Sequence, residues 1–169
     1  MTTFTVGNGG GSFALSANDV TLVSITATAG REKRGEISRF DFTANGGLET
    51  GGVDDPYVLY QARWFGRLRW SVTRVNVVDG VATPTVASPL DDNVSVAATT
   101  CRINYLNEPS QISGPLYQTA SDPISICQWR SSQASQALIF PAVAGSGLLF
   151  RASSSNYPGR ATCNVIFDE

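Results

Sequence analysis

Apolar and polar residues alternate along most of the chain with a period of two, and clusters of Gly, Pro, Asn and Asp separate the alternating runs. In residues 36–44, for example, Phe40 and Phe42 point to one side of an extended backbone, while Arg39 and Asp41 point to the other. This period is typical of strands with one buried face. The pattern therefore predicts an all-β fold, an antiparallel β-sandwich.

The spacing of the runs predicts about eight or nine strands with no internal repeat and no linker, which favours an eight-stranded jelly roll. An immunoglobulin sandwich is disfavoured because its Cys, Trp and Cys spacing is absent. Residues 20–28 and 36–44 are expected to pair with each other. A change of phase near Arg74 predicts a β-bulge. The closing strands are predicted at residues 147–152 and 160–168.

Two segments are predicted to depart from strand. Asp54 and Asp55 before Pro56 form an acidic N-cap with proline at the first helical position, which predicts a short helix over residues 56–63. A period of two also fits this stretch and would favour a strand, through Val58, Tyr60, Ala62 and Trp64. The glycine-rich residues near the start predict a flexible N-terminal arm over residues 1–12. A single folded domain then spans residues 13–169.

Composition adds a hint about the surface. The chain has 169 residues, enough for one core, and only 15% are charged, against about 25% in an ordinary soluble domain. Such a surface favours coverage by neighbouring molecules. No signal-peptide pattern and no membrane-spanning run is present, so we expect a protein made in the cytoplasm and no membrane partner.

The chain contains no histidine, which removes Ser-His and Cys-His nucleophile pairs and the usual zinc sites. The acidic residues fall in predicted turns, strand edges or a helix start, where capping explains them better than a glycosidase pair or a calcium site. We therefore expect no enzyme, no catalytic residue, no metal site and no cofactor. The acidic residues considered are Glu36, Glu49, Asp54, Asp55, Asp91 and Asp92.

Three cysteines, Cys101, Cys127 and Cys163, lie far apart without a CxxC pair, so neither a disulfide framework nor a zinc site is expected. Cys163 shares its predicted strand face with Val165 and Phe167. It is therefore expected to be a buried thiol that acts as a small apolar side chain.

Residues 55–72, DPYVLYQARWFGRLRWSV, follow a predicted strand and a glycine-rich loop. This order of segments resembles the single jelly-roll capsid proteins of small icosahedral RNA viruses, in which a short helix leads into a strand at this point. Residues 147–151 and 161–167, separated by a turn, resemble the last two strands of that fold. A weaker resemblance links the chain to head decoration proteins of tailed phages.

The resemblance implies an eight-stranded wedge whose identical copies pack around symmetry axes. The expected function is then a virion structural protein, a self-assembling icosahedral coat subunit whose partners are copies of itself. The chain lacks the Arg/Lys-rich arm with which many such proteins neutralise packaged nucleic acid. Any contact with nucleic acid would therefore fall to the residues Arg31, Lys33, Arg34, Arg67 and Arg69.

Three alternatives remain open. A head decoration or cement protein would have a similar small, acidic, histidine-poor β domain. A carbohydrate-binding sandwich would need Trp64, Trp70 or Trp129 to be exposed. A nucleic-acid-binding module is suggested by the interleaved aromatic and arginine residues of segment 63–70, but these fall largely on opposite strand faces, whereas a binding groove needs them together.

Overall fold

The computed structural model describes residues 1–9, 13–15, 19–30, 33–45, 68–76, 83–91, 97–105, 115–121, 126–132, 138–154 and 160–169. Most of these residues form antiparallel strands, and none of them is helical. Within these ranges there is also no helix long and apolar enough to cross a membrane. The strands are β1 (Thr3–Gly7), β2 (Phe13–Ala14), β3 (Val20–Ala27), β4 (Gly35–Asn45), β5 (Leu68–Val75), β6 (Thr83–Thr85), β7 (Ser88–Pro89), β8 (Thr99–Tyr105), β9 (Tyr117–Ser121), β10 (Ile126–Arg130), β11 (Leu138–Phe140), β12 (Gly147–Ser153) and β13 (Arg160–Asp168).

The strands form two sheets that pack face to face, so the predicted antiparallel sandwich is confirmed. One sheet has the order β10-β4-β13-β1-β7, with β11 also on β4 and β2 also on β13. The other has the order β6-β8-β3-β12-β5-β9. We call them the seven-stranded and six-stranded sheets.

Eight strands pair in a nested manner. In chain order β1 pairs with β13, β3 with β12, β4 with β10 and β5 with β9. Each pair encloses the next along the chain, and successive pairs alternate between the two sheets. The pairings of β4 with β13 and of β5 with β12 join the pairs within each sheet.

Aromatic side chains fill the space between the sheets. Phe42 of the seven-stranded sheet stacks on Trp70 of the six-stranded sheet at a centroid distance of 4.9 Å. Phe40 meets Phe150 edge-on at 5.4 Å. All four are fully buried, which confirms the inward direction predicted for Phe40 and Phe42.

The predicted pairing of residues 20–28 with 36–44 is wrong, because β3 and β4 lie in different sheets. β3 pairs with β8 and β12, whereas β4 pairs with β13, β10 and β11. Both strands direct large side chains such as Ile25 and Phe40 into the same core from opposite layers. The chain between them therefore crosses from sheet to sheet instead of forming a hairpin.

The predicted bulge near Arg74 is also wrong. β5 pairs with β12 in continuous register from Arg69 to Val75. Leu68, Trp70 and Val72 belong to the core, whereas Val75 is buried without being part of it. The apolar residues of β5 therefore lie on both faces of one regular strand, because both faces are buried.

The flexible arm predicted over residues 1–12 is wrong for β1. Thr3–Gly7 pair with β13 at five positions, and the side chains of Phe4 and Val6 are only 2% and 4% exposed. The alternation in Thr3–Gly7 suffices to make a strand, although a glycine-rich stretch follows it. The predicted helix over 56–63 lies outside the described residues.

Asn8 ties the end of β1 to both sheets. Its side-chain Nδ2 donates to the carbonyl of Ala161 at 3.1 Å and to Oδ1 of Asn104 at 3.0 Å. Its Oδ1 accepts from the backbone N–H of Cys163 at 2.9 Å. A buried amide with these three partners fixes the first strand in place.

Candidate functional site

The basic residues predicted to contact nucleic acid do not form one patch. Lys33 and Arg34 are exposed directly before β4, and Arg69 is exposed in β5. Trp70, the neighbour of Arg69, stacks on Phe42. Phe42 lies about seven residues, or roughly 23 Å, along β4 from the first residue of that strand, Gly35. Lys33 and Arg34 therefore lie at the opposite end of the sandwich from Arg69. The other two predicted residues, Arg31 and Arg67, lie outside the described residues.

Two of the described carboxylates form ion pairs with arginine side chains. Asp41 pairs with Arg39 at 2.8 Å, and Asp19 pairs with the buried Arg151 at 3.3 Å. In the described part of the chain, no group of three or more Cys, Asp or Glu residues could hold a metal ion. Of the acidic residues considered in the sequence, Glu36 lies in β4 and Asp91 is exposed, whereas Glu49, Asp54, Asp55 and Asp92 lie outside the described residues.

All three cysteines are free thiols. Cys163 is buried in the core, as predicted, and Cys101 is buried against the same core from β8. Burial raises the pKa of Cys101 to about 12 and that of Cys163 well above its usual value. Both thiols therefore remain protonated and unreactive at neutral pH.

The tryptophans that a carbohydrate site would need are not displayed on the described surface. Trp70 is fully buried. Trp129 is half-buried and stacks on Phe40 at 5.2 Å. Trp64 lies outside the described residues.

The two sheets differ in their outer faces. On the six-stranded sheet, Ser24 and Thr73 flank Leu149, and all three are at most 3% exposed. Neither hydroxyl has a hydrogen-bond partner among the described residues. The middle of this outer face is therefore buried, whereas Arg69 of β5, which points to the same side as Thr73, is exposed.

The outer face of the seven-stranded sheet instead carries a shallow polar groove of about 590 Å³ across β1, β13 and β4. Thr5 and Asn164 share a hydrogen bond of 3.1 Å there. Asp41 lies opposite Asn164 in the neighbouring strand. Hydroxyl, amide and carboxylate groups can form hydrogen bonds with a polar partner, but none of the described residues that line the groove is aromatic, as a platform for a sugar ring would be.

One side of the sandwich is closed by its own chain. Residues 83–89 run from β6, on the edge of the six-stranded sheet, to β7, on the edge of the seven-stranded sheet. The two outermost strands carry Pro84 and Pro89, which have no N–H to offer another strand. This side is therefore protected against pairing with a further strand.

The opposite side is where β9 and β10 end their sheets. We call it the open edge, made of Tyr117–Ser121 and Ile126–Arg130. The hydroxyl of Tyr117 and the thiol of Cys127 lie 3.3 Å apart and link the two strands across the sandwich. Burial, and then the contact with Cys127, raises the pKa of Tyr117 to about 12, so this link stays neutral at physiological pH. Ile126 is 60% exposed on the same edge.

Comparison with known proteins finds no family model, no curated protein and no solved structure that matches this chain. What the protein can do follows from the arrangement of its own residues.

The sequence did not indicate the open edge or the polar groove. Thr5, Asp41 and Asn164 each occupy polar positions of an alternating strand, which is a signal for an outer face. Their proximity depends on β1 and β4 both pairing with β13, a long-range arrangement that period-two patterns do not contain. The free side of β10 likewise becomes visible only from the order of strands.

Proposed function

We propose that the chain is a self-assembling coat subunit of a virion, built on an eight-stranded jelly roll. The observation that carries this proposal is the nested pairing of eight strands, first with last, second with seventh, third with sixth and fourth with fifth. A long antiparallel ribbon rolled into two layers produces this order, and jelly rolls of this type build viral capsids.

The distribution of exposed apolar residues supports an assembling protein. Val86, Leu90, Ile126 and Val143 are each more than half exposed, and all lie at sheet margins or in connections. In a closed shell, each subunit contacts its neighbours around symmetry axes. Exposed apolar residues at the margins of the sandwich can form such contacts. The middle of the outer face of the six-stranded sheet is buried, so the margins, the polar groove and the surface around Arg69 remain as contact surfaces.

Of the five residues predicted to contact a packaged nucleic acid, the three that are described form two small basic points and no continuous groove. Lys33 and Arg34 form one point and Arg69 the other, roughly 23 Å apart along β4. Such points neutralise few phosphates, so we expect assembly to depend mainly on contacts between subunits and only weakly on nucleic acid.

The test is light scattering and negative-stain electron microscopy of the purified protein, before and after dissociation and reassembly. A coat subunit forms closed shells of uniform diameter, and it reforms them without added nucleic acid. A monomer at every concentration contradicts the proposal. Small oligomers that bind only preformed phage heads would instead identify a decoration protein, and retention on a polysaccharide gel would identify a carbohydrate-binding module.

A further inference from the structure

The two sides of the sandwich are protected very differently against strand pairing. Proteins usually block an edge strand with proline, lysine or a covering segment, because its free N–H and C=O groups pair readily with another chain. On one side, Pro84 and Pro89 occupy the two outermost strands. At the open edge, β9 and β10 contain neither proline nor lysine, and no described strand pairs with their outer sides.

The backbone of β10 presents donors at this edge. The N–H of Ser131 donates to the carbonyl of Ser38 at 3.0 Å, which continues the register of β10 on β4. Hydrogen-bonded and non-hydrogen-bonded pairs alternate along an antiparallel ladder. The N–H groups of Trp129 and Cys127 therefore point to β4, and that of Gln128 points away from it.

The hydrophobic core is incompletely covered at the same place. Seven apolar side chains among the described residues pack against the core yet remain partly exposed, and four of them are Tyr117, Cys127, Trp129 and Leu138. All four belong to β9, β10 or β11, which lie on this side of the sandwich. Ile126 adds an apolar side chain that is 60% exposed on the outer face.

We propose that the open edge binds a second copy of this chain, with β10 pairing antiparallel to β10 of the other copy about a two-fold axis at Gln128. This register pairs Gln128 with its counterpart and sets Ile126 opposite Arg130 of the second copy. The apolar stem of that Arg130 covers Ile126 while its charge stays in water. Trp129 and Cys127 gain cover from the facing strand.

The choice of a second copy has a physical basis. An isologous contact requires a self-complementary surface, and an antiparallel strand edge is complementary to itself. Arg130 is the single charged residue of β9 and β10, and in this register the two Arg130 side chains lie at opposite ends of the paired strands. The inference rests on the proposed function for the kind of partner, because a coat subunit contacts copies of itself.

Two substitutions at one position test the contact. Gln128→Pro removes the N–H that points out of the sheet, and it leaves the hydrogen bonds between β10 and β4 in place. Gln128→Ala removes the same side chain and keeps the N–H. Sedimentation velocity should show dimers or larger assemblies for the wild type and for Gln128→Ala, and an association at least about tenfold weaker for Gln128→Pro. Equal association of a folded Gln128→Pro variant would overturn the inference.

Hydrogen exchange on the wild-type protein gives a readout that does not depend on how the variants fold. In the associated protein the amides of Ile126, Gln128 and Arg130 become protected, and on dilution they exchange fast. The amides of Cys127 and Trp129 remain protected in both states. Shells in which the Gln128 amide exchanges freely overturn the inference and leave the proposed function standing. Dimers with a protected Gln128 amide that never form shells support the inference and contradict the proposed function.

Discussion

Trp70 is the largest fully buried side chain, and it joins the two layers of the sandwich. Its ring stacks on Phe42 at 4.9 Å, and its indole N–H donates to the hydroxyl of Ser121 at 2.6 Å. The preceding residue, Arg69, is exposed and pairs with the same two neighbouring strands. Substitutions at these two adjacent positions therefore distinguish the contribution of core packing to stability from that of strand pairing.

Replacing Trp70 by Ala should lower the free energy of unfolding by about 3–5 kcal/mol, because a large cavity replaces a buried ring. Urea denaturation measures this loss. Arg69→Ala is the control and should change stability by less than about 0.5 kcal/mol. A near-neutral Trp70→Ala variant would contradict the packing described for the core.

The buried thiols predict a loss of stability in alkaline solution. Burial raises the pKa of Cys101 from 9.0 to about 12, so the native protein keeps a proton that the unfolded chain releases. The stability contributed by this group is complete below about pH 9 and is lost as the pH rises towards 12.

We expect the urea midpoint of the wild type to fall steadily above about pH 9. For each such thiol, the free energy of unfolding falls by up to about 1.4 kcal/mol per pH unit in this range. Cys101→Ala should be less stable than the wild type at pH 7 but should lose stability less steeply between pH 9 and 11. Parallel pH profiles for the two proteins would show that Cys101 does not carry this effect.

Among the elements, β1 differs most from the sequence-based expectation. Phe4 stacks on Phe167 at a centroid distance of 5.6 Å, whereas its neighbour Thr5 faces the polar groove. An arm would tolerate a change at either position equally.

Phe4→Ala should therefore cost about 3–5 kcal/mol of unfolding free energy, while Thr5→Ala should change it by less than about 0.5 kcal/mol. Thermal and urea denaturation of the two variants provide the comparison. Equal stability of both variants would mean that β1 does not pair with β13 in solution.

The strands themselves could be predicted from the sequence, but their partners could not. Period-two patterns located β4, β12 and β13 within a few residues, because β12 and β13 each have one strictly apolar face and β4 has one over residues 40–44. β3 is buried along its whole length, so its pattern did not reveal which sheet it joins. The partner of a strand depends on contacts far along the chain, such as Gly35 with Phe140, that no local signal encodes.

The candidate site was less predictable than the fold for the same reason. The basic residues Lys33, Arg34 and Arg69 are exposed as a solvent or nucleic-acid contact requires, but they are separated by the length of the sheet. The open edge is defined by the absence of a further neighbouring strand among the described residues, and a strand at the end of a sheet has no distinct sequence pattern. The prolines of β6 and β7 were the one local signal that distinguished the two sides.

At the scale of the whole molecule, the nested strand pairs produce a sandwich with one closed side and one open side. The closed side is crossed by residues 83–89, and the open side presents β9 and β10. A subunit whose two sides differ in this way can contact one copy of itself through the open edge and further copies through its other margins. A closed shell requires several such contacts for each subunit.

Cryo-electron microscopy of the purified protein tests the central claim, which is that this sandwich assembles with copies of itself. We predict closed particles of uniform size in which the eight-stranded unit repeats with icosahedral symmetry. Isolated sandwiches at every protein concentration and salt condition would contradict the account.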